Sequence, residues 1–235
     1  MASLRGSLLD RYFYFLMALL VAAVVVVGFG HTAGARLLHP AVPPPTVLYV
    51  HAVVFIAWVL FFIFQSALVR TKNVAIHVRT GWFGVALGAL MPFLGIWTAI
   101  VMTRFRNVHY PDPGNDVFMI VPFLDVLCFS VTFALAIYWR GKPEFHRRLI
   151  LLATCALTAA AFGRFPHSIL PGEAFYAGVD ALILLGVLRD LLVEWRVHVV
   201  YAYGLPAFML GQFAAMYMLL SNSPAWEKIA HAIAG

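Results

Sequence analysis

Two stretches of the chain repeat one arrangement of cations and imidazole. Arg70-Thr-Lys72-Asn-Val-Ala-Ile-His77-Val-Arg79 and Arg140-Gly-Lys142-Pro-Glu-Phe-His146-Arg-Arg148 both read R-x-K, three or four residues, then H-x-R; Arg196-Val-His198 is a shorter echo. Neutral imidazole ligates metals and is a usual axial ligand of haem iron, and nearby cations can neutralise haem propionates. His77, His146 and His198 are therefore the candidate cofactor ligands, with Arg79, Arg147 and Arg148 beside them. Haem b needs two of the histidines, on opposite faces of a flat ring. A zinc ion takes three and leaves a fourth position for water, with Glu144, Asp190 or Glu194 as the base. Asp190, Glu194 and His198 are spaced by four and share a face if one helix carries all three. The competing reading is plain interfacial anchoring, because Arg, Lys and His at a membrane boundary extend into the headgroups.

A second polar set is sunk in apolar sequence: His51, Asp125, Asp180, Arg164 and Gln212. Carboxylates in hydrocarbon usually face the bundle interior, where they pair or line a proton or ion path. Arg164 with Asp180 is the structural pairing to expect, and the set as a whole is the candidate proton path.

The elements that must position these groups follow from composition. Of 235 residues, 63% are hydrophobic and 11% charged, and the mean hydropathy is +0.90. A soluble domain has about 45–50% apolar and about 25% charged residues, so the chain reads as a membrane protein. Apolar runs near the 20 residues a spanning helix needs occur at Tyr12–Gly30, Val47–Val69, Ile76–Met102, Asp116–Tyr138, His146–Gly163, Ala174–Leu192 and Val199–Leu220. The expected fold is all-α: a seven-helix transmembrane bundle forming a single integral membrane domain over residues 1–235. The sixth run is the least clean, being interrupted by Asp180, Arg189 and Asp190.

Basic residues set the orientation. With the N-terminus inside, Arg5, Arg11, Arg70, Lys72, Arg79, Arg140, Lys142, Arg147, Arg148, Arg189 and Arg196 lie on the inner side, 11 of the 16. Only Arg36, Arg104, Arg106, Arg164 and Lys228 lie outside. The positive-inside rule then predicts N-in, C-out in a plasma or bacterial-type inner membrane. Ala33-Gly34-Ala35 resembles a signal-cleavage site, but Phe13–Phe29 is longer than a signal core of about 7–15 residues, which favours a retained span. The loop repeat implies three parallel helical hairpins, spans two–three, four–five and six–seven, with the first helix added outside the pattern.

Several chemistries drop out. The net charge of +6 comes from cations spread over short loops, not from a basic soluble face, so nucleic acid is not the expected partner. Cys128 and Cys155 lie in apolar runs and suit neither a disulfide framework nor a CxxC metal site. No phosphate loop, nucleophile elbow or HExxH is present. Seven spans, an N-in orientation and three inner histidines together resemble the adipoQ-receptor and alkaline-ceramidase superfamily, which implies a zinc-dependent intramembrane hydrolase acting on lipid. The chain departs from the receptor branch in having no two histidines at i, i+4. Three functions are thus carried forward: a redox-related membrane protein binding haem b or a metal ion; a non-enzymatic carrier or small subunit of a membrane complex; and the zinc hydrolase. The expected partners are the lipid bilayer, other membrane-complex subunits, and a quinone or lipid substrate.

Overall fold

The computed structural model describes residues 2–221 and 223–235, with side chains from residue 8 onward. Arg5, counted above among the inner cations, lies outside those side chains. Among the described residues there is no strand, and ten α-helices run α1 (Ala2–Gly30), α2 (Thr46–Arg70), α3 (Val74–His109), α4 (Gly114–Val117), α5 (Ile120–Tyr138), α6 (Pro143–Ala156), α7 (Ala159–Phe162), α8 (Phe175–Glu194), α9 (Val199–Leu220) and α10 (Pro224–Ala234).

Among the described residues six segments are long and apolar enough to cross a membrane: Leu8–Gly30, Thr46–Arg70, Val74–His109, Gly114–Tyr138, Pro143–Phe162 and Val199–Leu220. Their outward faces carry bare Phe93, Leu210 and Phe213, each more than 70% exposed. Apolar surface on that scale is a liability in water and is solvated by lipid. The chain is a helical membrane protein. The sixth expected span forms as a helix, α8, but Asp180, Arg189, Asp190 and Glu194 set its composition apart from the other six.

Two expected spans are broken, each for a local reason. Pro122 lacks the N–H that would bond the Phe118 carbonyl, and Val121 N–H takes that oxygen instead at 3.1 Å, so α4 and α5 are separate. Between α6 and α7, the Thr154 hydroxyl donates to the Ile150 carbonyl at 2.8 Å and the Thr158 hydroxyl to the Cys155 carbonyl at 2.6 Å. Such threonine back-bonding competes with the helical ladder and bends it. In contrast α3 runs unbroken for 36 residues. At 1.5 Å per residue it is roughly 54 Å long, well beyond a hydrocarbon core of about 30 Å. Its C-terminal end has its own support. The amphipathic α10, absent from the hydropathy reading, packs against α3 and α4. Trp226 Nε1 donates to the Val117 carbonyl at 2.8 Å, and Arg104 donates to the Ala234 and Ile233 carbonyls at 2.9 and 2.8 Å.

Helices α2 and α3, α5 and α6, and α8 and α9 each follow one another across a short turn and pack together. The core runs between them and α1, around Met17, Val21, Phe129, Leu151, Leu152, Ile183 and Tyr201. Gly28 lets α1 meet α7 backbone to backbone: a Cβ there would lie 2.3 Å from the Ala161 carbonyl oxygen.

Candidate functional site

His77 and His146 occupy the same register in consecutive hairpins. Asn73 caps α3 and Lys142 caps α6, and each cap carbonyl accepts the backbone N–H of the histidine four residues on, at 3.0 Å in both cases. Pro143 at the first position of α6 and Glu144 in its first turn suit a helix start, where the missing N–H is no loss and negative charge meets the dipole. The outcome is that the two imidazoles approach edge to face, with ring centroids 6.2 Å apart and planes at 72°. His146 Nδ1 donates to the Ala136 carbonyl at 2.9 Å. A carbonyl only accepts, so Nδ1 carries the proton and the neutral ring keeps its lone pair on Nε2. His77 Nδ1 is buried and has no hydrogen-bond partner among the described residues.

His198 is nearby but differently employed. Helix α8 ends at Glu194, and Trp195 follows in the left-handed conformation (φ 58°), so Asp190, Glu194 and His198 do not share one helix as the spacing had suggested. The chain doubles back, and the His198 N–H donates to Asp190 Oδ2 at 3.2 Å. His198 becomes the N-cap of α9, its Nδ1 accepting from Val200 N–H at 3.2 Å, and its ring packs on Phe145 at 4.7 Å. Burial first, and then Arg148, hold this imidazole below the ordinary histidine range. Among the described residues no three His, Cys, Asp or Glu side chains are disposed to hold a metal ion.

Beside the histidines lies a feature the sequence reading only partly anticipated, a buried ion network across α1, α6 and α8. Arg148 and Asp190 are fully buried and Arg189 is 2% exposed. Arg148 donates to Asp190 through Nε at 2.9 Å and Nη2 at 2.7 Å, to Glu194 at 2.5 Å and to the Glu144 carbonyl at 2.7 Å. Arg189 donates to Asp190 and Glu194 at 2.7 Å each and also pairs with Asp10. Arg147 reaches Asp10 at 3.2 Å and Glu194 at 3.3 Å, over the Tyr14 ring. Three arginines thus meet three carboxylates. Arg147 and Arg148, expected beside haem propionates, are engaged here instead, while Arg79 is exposed. Asp10 was the missed member. The available signal was the charge balance: Arg147-Arg148 and Arg189-Asp190 are adjacent charge pairs at one depth, still short of a carboxylate.

The second polar set divides into pairs. Asp125 accepts from the Tyr176 hydroxyl at 3.2 Å, linking α5 to α8, and Asp180 accepts from Gln212 Nε2 at 3.0 Å, linking α8 to α9. Arg164 does not meet Asp180; it donates to the Ala160 carbonyl and lies over the Phe29 ring at 4.5 Å. His51 stacks on Phe55 with centroids 3.9 Å apart and leaves its Nδ1 buried without a partner among the described residues. Tyr176 was not in the expected set, because tyrosine in an apolar run reads as ordinary packing.

These features define a helical membrane protein with two imidazoles close together at one end of the bundle and a buried ion network beside them. Compared with family models, with curated proteins and with solved structures, the chain matches none.

Proposed function

We propose that the protein is a redox-related integral membrane protein in which His77 and His146 hold a haem b or a metal ion. The observation that carries this reading is the closeness of the two rings. A metal bound at about 2.0–2.1 Å by one nitrogen of each ring, from opposite sides, puts the ring centres roughly 6 Å apart. The separation here is 6.2 Å. The fixed His146 tautomer adds to it, since an outer hydrogen bond on Nδ1 orients a ring that ligates through Nε2. Placement near two helix N-termini keeps the rings neutral, the form that ligates, while the positive dipole ends work against a bound cation. With Arg147 and Arg148 engaged elsewhere, the exposed Arg79, Arg140 and Lys142 are the cations left to face propionates. His198, capping α9, stands as a neighbour of the pair. The excess of basic residues at this end favours placing it on the cytoplasmic side, with α8 as a seventh span.

The test is an absorption spectrum and metal analysis of the detergent-purified protein. A Soret band that shifts on dithionite, or one equivalent of metal, is the expected result. His77→Ala and His146→Ala should each lose it while still inserting, and His31→Ala should retain it. Wild-type protein with neither haem nor metal would overturn the proposal. A carrier is the second reading, favoured by Asp125 and Asp180, two carboxyl groups inside the bundle that can take up and release protons and that hydrogen-bond Tyr176 and Gln212. Proton uptake by proteoliposomes, lost in Asp125→Asn, would select it.

A further inference from the structure

At the histidine end of the bundle one aromatic ring brings two arginines together. Arg70 is the last residue of α2, and its guanidinium carbon lies 4.7 Å from the centre of the Phe15 ring and 5.4 Å from that of Tyr12. Tyr12 and Phe15 are three apart on α1 and so share a face, which makes a seat for the cation where α1 and α2 pack together. The neighbouring Arg11 folds over the same Tyr12 ring, at 5.6 Å.

An aromatic ring attracts a guanidinium through its flat face and leaves the N–H groups around its edge unused. Arg70 Nε is buried and has no hydrogen-bond partner among the described residues. Among those residues neither Arg11 nor Arg70 pairs with a carboxylate; Asp10, next to Arg11 in the chain, is engaged by Arg147 and Arg189. Two like charges seated on one ring, with donors to spare, are complementary to an anion. Their depth selects which one. Arg70 closes the apolar segment Thr46–Arg70, and Arg11 stands in the first turn of the apolar segment Leu8–Gly30. Both cations therefore lie where hydrocarbon gives way to headgroups, and guanidinium forks match the oxygens of a phosphate.

We propose that Arg11 and Arg70, held over Tyr12, bind the phosphate of an acidic lipid headgroup. The test is native mass spectrometry of the full-length protein in non-ionic detergent. It is titrated in parallel with short-chain phosphatidylglycerol, short-chain phosphatidylcholine and inorganic phosphate. Saturable retention of phosphatidylglycerol, tighter than that of phosphatidylcholine, is expected. Arg11→Gln should weaken it on the order of tenfold, the effect of losing one charge-assisted hydrogen bond, and Arg70→Gln should do the same. Tyr12→Leu keeps both charges and should also weaken it, because the ring no longer gathers them. Lys228→Gln, which removes an exposed charge on α10 at the other end of the bundle, should leave it unchanged. Arg11 is exposed, so its replacement leaves the fold intact, and an unchanged melting temperature in lipid-free detergent checks this. No preference for phosphatidylglycerol, retention of inorganic phosphate alone, full affinity in Arg11→Gln or Tyr12→Leu, or an equal loss in Lys228→Gln would overturn the proposal.

Discussion

Replacing Asp190 with asparagine keeps the side chain's shape and deletes its charge at the centre of the ion network. In the wild type this carboxylate accepts from Arg148 twice, from Arg189 and from the His198 N–H. An asparagine offers one acceptor oxygen and turns an NH₂ toward guanidinium donors. Arg148 is fully buried and Arg189 nearly so, so water cannot replace what is lost. Removing one partner of a buried ion pair costs about 3–5 kcal/mol. Glu194 and Asp10 still share the two guanidinium groups, which places the loss at the lower end. For a chain of this size, about 3 kcal/mol corresponds to a fall in melting temperature of roughly 6–12 °C. A thiol-reactive fluorophore reads this directly, because Cys155 is buried and Cys128 half-buried until the bundle opens. Glu144→Gln, at an exposed site, should stay within about 0.5 kcal/mol of the wild type. The double replacement Arg148→Met with Asp190→Leu should recover part of the loss, because apolar residues need not be compensated for leaving water. If Asp190→Asn melts within about 2 °C of the wild type, less than about 1 kcal/mol on the same scale, the network does not hold α6 to α8 and the reasoning fails.

Three further outcomes are expected. Gly28→Ala places a methyl group against the Ala161 backbone, which cannot rotate away, and should destabilise by about 1–3 kcal/mol; Gly30→Ala, with open space around it, should be close to neutral in the same melt. His231 is raised above its ordinary value, chiefly by its hydrogen bond to Asp116 at 2.5 Å. Its contribution to docking α10 is therefore complete below the unperturbed histidine value of about 6.5 and is lost as pH rises through the raised one. Limited proteolysis at Lys228 should accelerate across that rise in the wild type and show no such step in His231→Ala. For the orientation, single cysteines placed on a Cys-free background at Lys142 and Arg106 should be labelled from the inside and the outside respectively; labelling of position 142 from outside the cell would reverse the assignment.

Composition and periodicity were enough to determine that the chain is helical and made for a membrane. A bilayer core supplies no hydrogen bonds to the backbone, so each long apolar run must close its own ladder as a helix. Val199–Leu220 forms as read, and Thr46–Arg70 differs from the expected span by one residue at each end. That His77 and His146 lie at one level was also legible, because the repeated loop puts each histidine four residues past a helix cap and so fixes its register locally. What the sequence could not determine was which charges meet. Asp10 and Glu194 are 184 positions apart in the chain, yet both serve Arg147 and Arg189. Partner choice among buried ions depends on which helix faces pack together, and that is set by close contacts such as Gly28 on Ala161, to which hydropathy is blind. The same holds for α10, whose short amphipathic face is indistinguishable from a surface loop until α3 projects far enough to receive it. It holds too for Asp190, Glu194 and His198, whose spacing would share one face only if α8 ran on, and which the left-handed turn at Trp195 divides, leaving His198 as the cap of α9.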